Sequence, residues 1–211
     1  MKKYLTEFIG TFFLVFTICL AVDRGVPLAF LAIGAVLMVM VYMGGPISGA
    51  HYNPAVSIAL LLSRKLAGAD LIPYLVAQFA GAIAGAATGA WILGSSIAPA
   101  PAPTATGMQA LAVEFLFTFA LCLVVLNVAT SKRTAGNSYF GLAIGFTVAA
   151  AAFAGGPVSG GAFNPAVGLG TIIVKAVAAK GPLGNAWLYI VGPCLGAVAA
   201  SRVFDLQEAN G

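Results

Sequence analysis

Four residues set deep in apolar sequence could do chemistry: Asn53 and Asn164, each followed by Pro-Ala (Pro54, Ala55 and Pro165, Ala166), and the glutamates Glu7 and Glu114. Asparagine before proline starts a helix. The amide caps the first turn, and proline suits the first helical position because the N–H it lacks would have no partner there. A helix begun this way presents about half a positive charge at its N-terminus. Two such ends facing each other would repel cations, while the amides of Asn53 and Asn164 donate to a passing oxygen. Water held between them donates outward in both directions, which interrupts a proton-conducting chain. The plainer alternative is that the two asparagines only cap two helices. Glu7 and Glu114 are the acidic residues well inside apolar runs, where a carboxylate is costly unless satisfied. They either relay protons or accept hydrogen bonds from backbone N–H groups that leave helical structure at membrane depth, the role such segments require.

The elements that must position these groups are legible in the composition. Of 211 residues, 61% are hydrophobic and 8% charged, with a mean hydropathy of +1.01. A water-soluble domain carries about a quarter charged residues, so the solvent of this chain is lipid. Apolar runs fall near 4–22, 28–44, 71–93, 108–129, 139–155 and 185–204, which at ~20 residues per crossing makes six spans. Two further segments, 53–62 and 164–177, are too short to cross. Ten helical residues reach ~15 Å, half of a ~30 Å hydrocarbon core. The expected fold class is an all-α membrane protein of six transmembrane helices and two re-entrant half-helices.

The chain also repeats itself. Gly-Gly-Pro-Ile-Ser-Gly-Ala-His-Tyr-Asn-Pro-Ala-Val, starting at Gly44, answers Gly-Gly-Pro-Val-Ser-Gly-Gly-Ala-Phe-Asn-Pro-Ala-Val, starting at Gly155, 111 positions on. Thr6-Glu7-Phe8 answers Val113-Glu114-Phe115, and Gln78-Phe79-Ala80-Gly81-Ala82 answers Pro193-Cys194-Leu195-Gly196-Ala197. One membrane domain is expected, with repeat 1 over about 1–94, a linker over about 95–107 and repeat 2 over about 108–211. Three spans per repeat is an odd number, so the repeats are inverted (3+3) and the half-helices enter from opposite faces to meet near the midplane. Pro99, Pro101 and Pro103 deny the linker a helix, and it reads as an uncharged external loop without chemistry. Pro46 and Pro157 are expected to shape the loops before the asparagines.

With the N-terminus inside, Lys2, Lys3, Arg64, Lys65, Lys132, Arg133 and Arg202 lie on the cytoplasmic side and Arg24, Lys175 and Lys180 outside. That bias favours two cytoplasmic termini in a cell membrane. The first apolar run is too long for a signal peptide and lacks a small-residue cleavage site, so it reads as a retained helix. Glycines spaced by four (Gly81, Gly85 and Gly89; Gly141 and Gly145; Gly192 and Gly196) suit close helix crossings, which supply the packing energy in lipid. Cys19, Cys122 and Cys194 have no metal-ligand spacing and read as small packing residues. No nucleophile–base pair or phosphate-binding glycine loop appears, no cofactor is implied, and the small net charge of +4 points to no nucleic acid.

The paired Ser-Gly-x-x-x-Asn-Pro-Ala motifs, the glutamates of the first and fourth helices and the Gly-Ala pairs resemble the major intrinsic protein family, the aquaporins and glycerol facilitators. The likeness spans essentially the whole chain and implies an aquaporin-like bundle, assembled as a homotetramer with one pore per subunit. It implies that Glu7 and Glu114 anchor the re-entrant loops. His51 resembles the family's pore-lining histidine, although it could also merely pack. Carried over by alignment, the narrowest ring would be Ile33, Ala152, Gly161 and Val167. Water-selective members combine an aromatic, a histidine and an arginine there, with the arginine where this chain has Val167. The glycerol-facilitator aspartate is also missing, its position being Gly168, whereas plant vacuolar members can carry valine at the first of these positions. The expectation is a passive channel for water and small neutral solutes (glycerol, urea, ammonia, hydrogen peroxide), with ion rejection left to the half-helix dipoles. A coupled secondary transporter would share inverted repeats and broken helices, and a non-conducting structural membrane protein could keep the fold with an apolar ring that dewets.

Overall fold

The computed structural model describes residues 1–209. Eight α-helices follow in order: α1 (Lys2–Asp23), α2 (Ala29–Ser48), α3 (Pro54–Leu62), α4 (Gly68–Leu93), α5 (Gly107–Val125), α6 (Phe140–Ser159), α7 (Pro165–Ala179) and α8 (Leu188–Ala209). Six are long and apolar enough to cross a membrane. The other two, α3 with 9 residues and α7 with 15, begin at the Asn-Pro pairs and do not cross. Each apolar run therefore becomes a span.

The limits differ from the sequence reading where glycine and proline were taken as stops. The runs ending at 44 and 155 continue as helix through Gly-Gly-Pro to Ser48 and Ser159. Pro46 and Pro157 thus sit inside the last turn of α2 and α6 rather than in loops. Proline removes one i→i−4 bond and crowds the carbonyl four residues back, a limited cost when only one turn remains. The true stops are Gly49 and Gly160, whose φ of 85° and 92° is the left-handed conformation that ends helices at glycine. At its far end α5 loosens into a π-helical turn, Leu126–Thr130.

Packing follows the duplication. α1 lies along α4 as α5 lies along α8, and the halves join through α2 against α6. These crossings are as close as glycine allows. A Cβ on Gly81 would stand 2.4 Å from the Phe8 carbonyl oxygen, and one on Gly196 2.6 Å from that of Phe115. Gly34 and Gly145 meet across the α2–α6 seam, each within 2.6 Å of the other's carbonyl by the same measure. Backbone approach of this kind holds helices together in lipid. Cys19 and Cys122 are buried packing groups, and Cys194 is half-buried.

Helix directions sort the charges by face. The starts of α1 and α4 share a face, tied by Lys3 to Asp70 at 2.5 Å. The ends of α5 and α8 join there through Arg133 and Glu208 at 2.9 Å. The end of α3 reaches it too, with Ser63 Oγ donating to Ser201 Oγ at 3.0 Å. Arg24 follows the far end of α1, on the face that carries the linker.

Candidate functional site

The site is assembled where α3 and α7 begin. Asn53 is extended (φ −155°) and its Oδ1 accepts from Ala55 N at 2.9 Å. Asn164 does the same with Ala166 N at 2.9 Å and Val167 N at 3.4 Å. Each amide nitrogen then reaches across to the other half. Asn53 Nδ2 donates to the Phe163 carbonyl and Asn164 Nδ2 to the Tyr52 carbonyl, both at 2.9 Å. The two helix starts therefore meet head to head. One hydrogen of each amide is committed to this cross-link, and the second is left for the cavity that both asparagines line.

The loops that deliver the asparagines are strained. Tyr52 and Phe163, the residues just before them, both take φ of 49°, and Ala50 takes 52°. Such a conformation costs about 1–3 kcal/mol per residue and persists only when its surroundings over-determine it. The glutamates supply that constraint. Glu7 Oε1 accepts from Ser48 Oγ at 2.7 Å and His51 N at 3.0 Å, and Oε2 from Tyr52 N at 2.7 Å and Gln78 Nε2 at 2.8 Å. Glu114 Oε1 accepts from Ser159 Oγ at 2.7 Å and Ala162 N at 3.0 Å, and Oε2 from Phe163 N at 2.6 Å. Both carboxylates are completely buried. The two tyrosines Tyr74 and Tyr189 add a matching bond, each hydroxyl donating to the carbonyl of the loop serine, Ser48 at 2.7 Å and Ser159 at 2.6 Å.

Around the meeting point runs a cavity of about 460 Å³. Its walls are aliphatic and paired between the halves: Leu14 with Leu121, Ile18 with Val125, Ile33 with Ile144, Leu37 with Val148. On α6 the lining residues are Ile144, Val148, Ala152 and Gly156, one per turn, so the cavity follows that helix for about 18 Å. All four residues of the expected ring, Ile33, Ala152, Gly161 and Val167, line it, as does His51. His51 is buried, its Nδ1 2.9 Å from Ser57 Oγ, which also accepts from Gln78 Nε2 at 2.9 Å. Among the lining residues described there is no Asp, Glu, Lys or Arg.

One sequence reading needs extending. The linker was read as an external loop, yet residues 97–100 line the same cavity. It folds inward because Gly160, with no side chain, lets the Ala100 backbone settle against it, and Ala102 N donates to the Val158 carbonyl at 3.0 Å. Gly168 is a position with no room: a Cβ there would lie 2.5 Å from Tyr189 Cβ. An aspartate at that point would have to displace Tyr189, whatever its effect on solutes. The sequence reading also missed Gln78, Ser57, Tyr74, Tyr189 and Phe30 as members of the site. Gln78 was visible only as a repeat marker, although a glutamine inside an apolar run is a signal of a buried polar partner.

The family model for the major intrinsic proteins matches residues 1–204. The chain belongs to the major intrinsic protein family. It is 40% identical to the glycerol uptake facilitator protein-like 6 of Lactiplantibacillus plantarum, over 95% of both chains. It is 35% identical to a probable NIP-type aquaporin of Nicotiana alata, over 100% of this chain and 79% of that one. The fold matches the crystal structure of the aquaglyceroporin from Plasmodium falciparum with a TM-score of 0.86 at 25% identity, covering 97% of this chain and 95% of the other. Family, fold and cavity together make this major intrinsic protein a multi-pass membrane protein and a passive channel for water and small solutes, not an enzyme.

Proposed function

We propose that this channel passes neutral solutes larger or less polar than water, with glycerol, urea, ammonia and hydrogen peroxide as the candidates, and rejects ions and protons at the paired half-helix starts. The observation that carries the reading is that Ile33, Ala152, Gly161 and Val167 all line the one cavity without a charged or hydrogen-bonding side chain among them. A solute crossing such a ring sheds little hydration to a fixed charge, so size and apolar surface decide entry. Cation rejection then falls on α3 and α7, each contributing about half a positive charge at the meeting point. Asn53 and Asn164, with Pro54, Ala55, Pro165 and Ala166 starting the two helices, steer solute oxygens with their remaining amide hydrogens. His51 lines the passage on the side of Glu7, and Glu7 and Glu114 anchor the two loops. The names of the relatives, a glycerol uptake facilitator and an aquaglyceroporin among them, agree with solutes beyond water.

In proteoliposomes, Val167→Arg is expected to cut glycerol and urea flux more than water flux, because a guanidinium both narrows the ring and adds donors suited to water. Equal loss of both fluxes would refute the wide-ring reading. We place the chain as one channel domain, with repeats over about 1–94 and 108–211, in a cell membrane with both termini cytoplasmic. Seven basic residues against three support that orientation, and labelling of single cysteines added at the termini from either side tests it. A homotetramer is the assembly expected of the family, and native mass spectrometry in detergent checks it.

A further inference from the structure

The duplication gives the quartet a counterpart. Residues 111 positions apart hold equivalent places in the two halves. Ile33, Ala152, Gly161 and Val167, on the linker side of the meeting point, therefore correspond to Ile144, Val41, Ala50 and Val56 on the side toward which α3 runs. Inversion makes those four a second ring across the meeting point. It too has no charged or hydrogen-bonding side chain, and Ile144, Ala50 and Val56 line the same cavity.

The second ring has less room. Two positions hold the same side chain on both sides and compare directly: Ile33 is 8% exposed and Ile144 4%, Val167 is 5% exposed and Val56 2%. At the other two the second ring carries the larger group, Val41 for Ala152 and Ala50 for Gly161. Ala152 and Gly161 are half-buried, whereas Val41 and Ala50 are buried. The surroundings differ in the same direction. Nothing lies within 4 Å of a Cβ built on Gly156, while its mate Gly45 faces the Phe140 ring at 3.4 Å by the same measure. Phe140, held edge-on to Tyr42 with centroids 5.1 Å apart, stands where the linker side has Ala29. His51 stands where it has Ala162. Two aromatic side chains thus occupy on one side the places of two alanines on the other.

We propose that this second ring, Val41, Ala50, Val56 and Ile144 with Phe140 and His51 at its rim, is the tighter of the two and sets the largest neutral solute that the channel passes. The proposal rests on the neutral-solute reading above and deepens it. Extra bulk pressed into a packed apolar wall is relieved only by shifting side chains or backbone, so the narrower ring decides the limit. Val41 and Phe140 then become specificity-determining residues. The size limit lies where the two halves differ in bulk, on the far side of the meeting point from Val167.

The test enlarges each ring in turn in the intact channel in proteoliposomes, and follows water, urea, glycerol and the longer polyol erythritol. Val41→Ala gives the second ring the alanine of the first. It is expected to raise erythritol flux about tenfold relative to water, the low end of what one methylene decides in a fitted apolar site. Ala152→Gly, which enlarges the first ring, is expected to gain far less. Ile144→Val against Ile33→Val repeats the comparison with a milder change, and serves should Val41→Ala not assemble. The gain should rise from urea to glycerol to erythritol, as a size limit requires. Equal gains for all three solutes would mean a general leak and would overturn the second ring. So would gains from the linker-side variants that match or exceed those of their mates, or no gain from Val41→Ala and Ile144→Val. Wild-type vesicles passing water but neither glycerol nor urea would overturn the neutral-solute reading alone. The second ring then stands if Val41→Ala admits glycerol and Ala152→Gly does not, and falls otherwise.

Discussion

The two re-entrant loops begin from nearly the same sequence and end in the same backbone shape, but they surround the lumen with different chemistry. Both are clamped by a buried glutamate, a loop serine and a tyrosine hydroxyl, at distances that agree within 0.1 Å for the serine and tyrosine bonds (2.7 and 2.7 Å; 2.7 and 2.6 Å). Beyond that clamp they part. Around the first loop, Tyr52 donates its hydroxyl to the Met40 carbonyl, and His51, Ser57 and Gln78 are linked side chain to side chain back to Glu7. In the second loop the matching positions are Phe163, Ala162, Gly168 and Pro193, and Glu114 has three donors where Glu7 has four. Duplication kept what the strained backbone needs and released what faces the solute. The first half therefore adds His51 and Tyr52 to the asparagine that each half brings to the passage, where the second half has Ala162 and Phe163.

Removing the clamps should hurt most, and unequally. Glu7→Leu strands four donors and Glu114→Leu three, at about 1–3 kcal/mol for each buried donor left without a partner. Neither variant is expected to yield a stable channel in detergent. Where thermal unfolding can be followed, Glu7→Leu should be the weaker protein, and the reverse order would break the assignment of Gln78 as the extra donor. Gly168→Asp probes the second half. A side chain there meets Tyr189, so the expected result is a loss of about 1–3 kcal/mol from overpacking, seen as a lower melting temperature. A stable Gly168→Asp channel with raised glycerol flux would show that Tyr189 moves aside and that width is not set by this contact.

His51→Ala makes the first loop resemble the second. Ser57 keeps its bonds to Gln78 and the Asn53 carbonyl, so folding should survive. Glycerol flux should rise several-fold relative to water in stopped-flow shrinkage. An unaltered ratio would mean that His51 packs and does not narrow the passage. The smallest effect belongs to Tyr52→Phe, which copies Phe163 and deletes only the hydroxyl bond to the Met40 carbonyl at 2.9 Å. About 1 kcal/mol of stability and no change in selectivity are expected.

How these parts could be read beforehand varied with how local their causes are. The half-helices were legible because Asn-Pro is a cap followed by a residue that fits only the first turn, and the structure starts α3 at Pro54 and α7 at Pro165. The glutamates were legible because a carboxylate in lipid demands partners. The helix ends at Ser48 and Ser159 were misread since Gly-Gly-Pro looks like a stop when the packing that holds the last turn is out of view. The path of the linker was out of reach for a related reason. Its prolines correctly ruled out helix, but nothing in them tells where an extended strap will lie.

Composition, repeat and capping chemistry by themselves determined six crossings, two half-helices and an inverted pair, because hydropathy and helix starts depend on neighbours within a turn or two. Only the folded chain decided which polar groups meet. Gln78 finds Glu7 from 71 positions away, Asn53 and Asn164 bond across 110 and 112 positions, and residues 97–100 come to line the cavity. Those encounters are set by how glycine-lined helices cross and how far the loops can reach. Such distances exist in three dimensions and leave no period or motif along the chain.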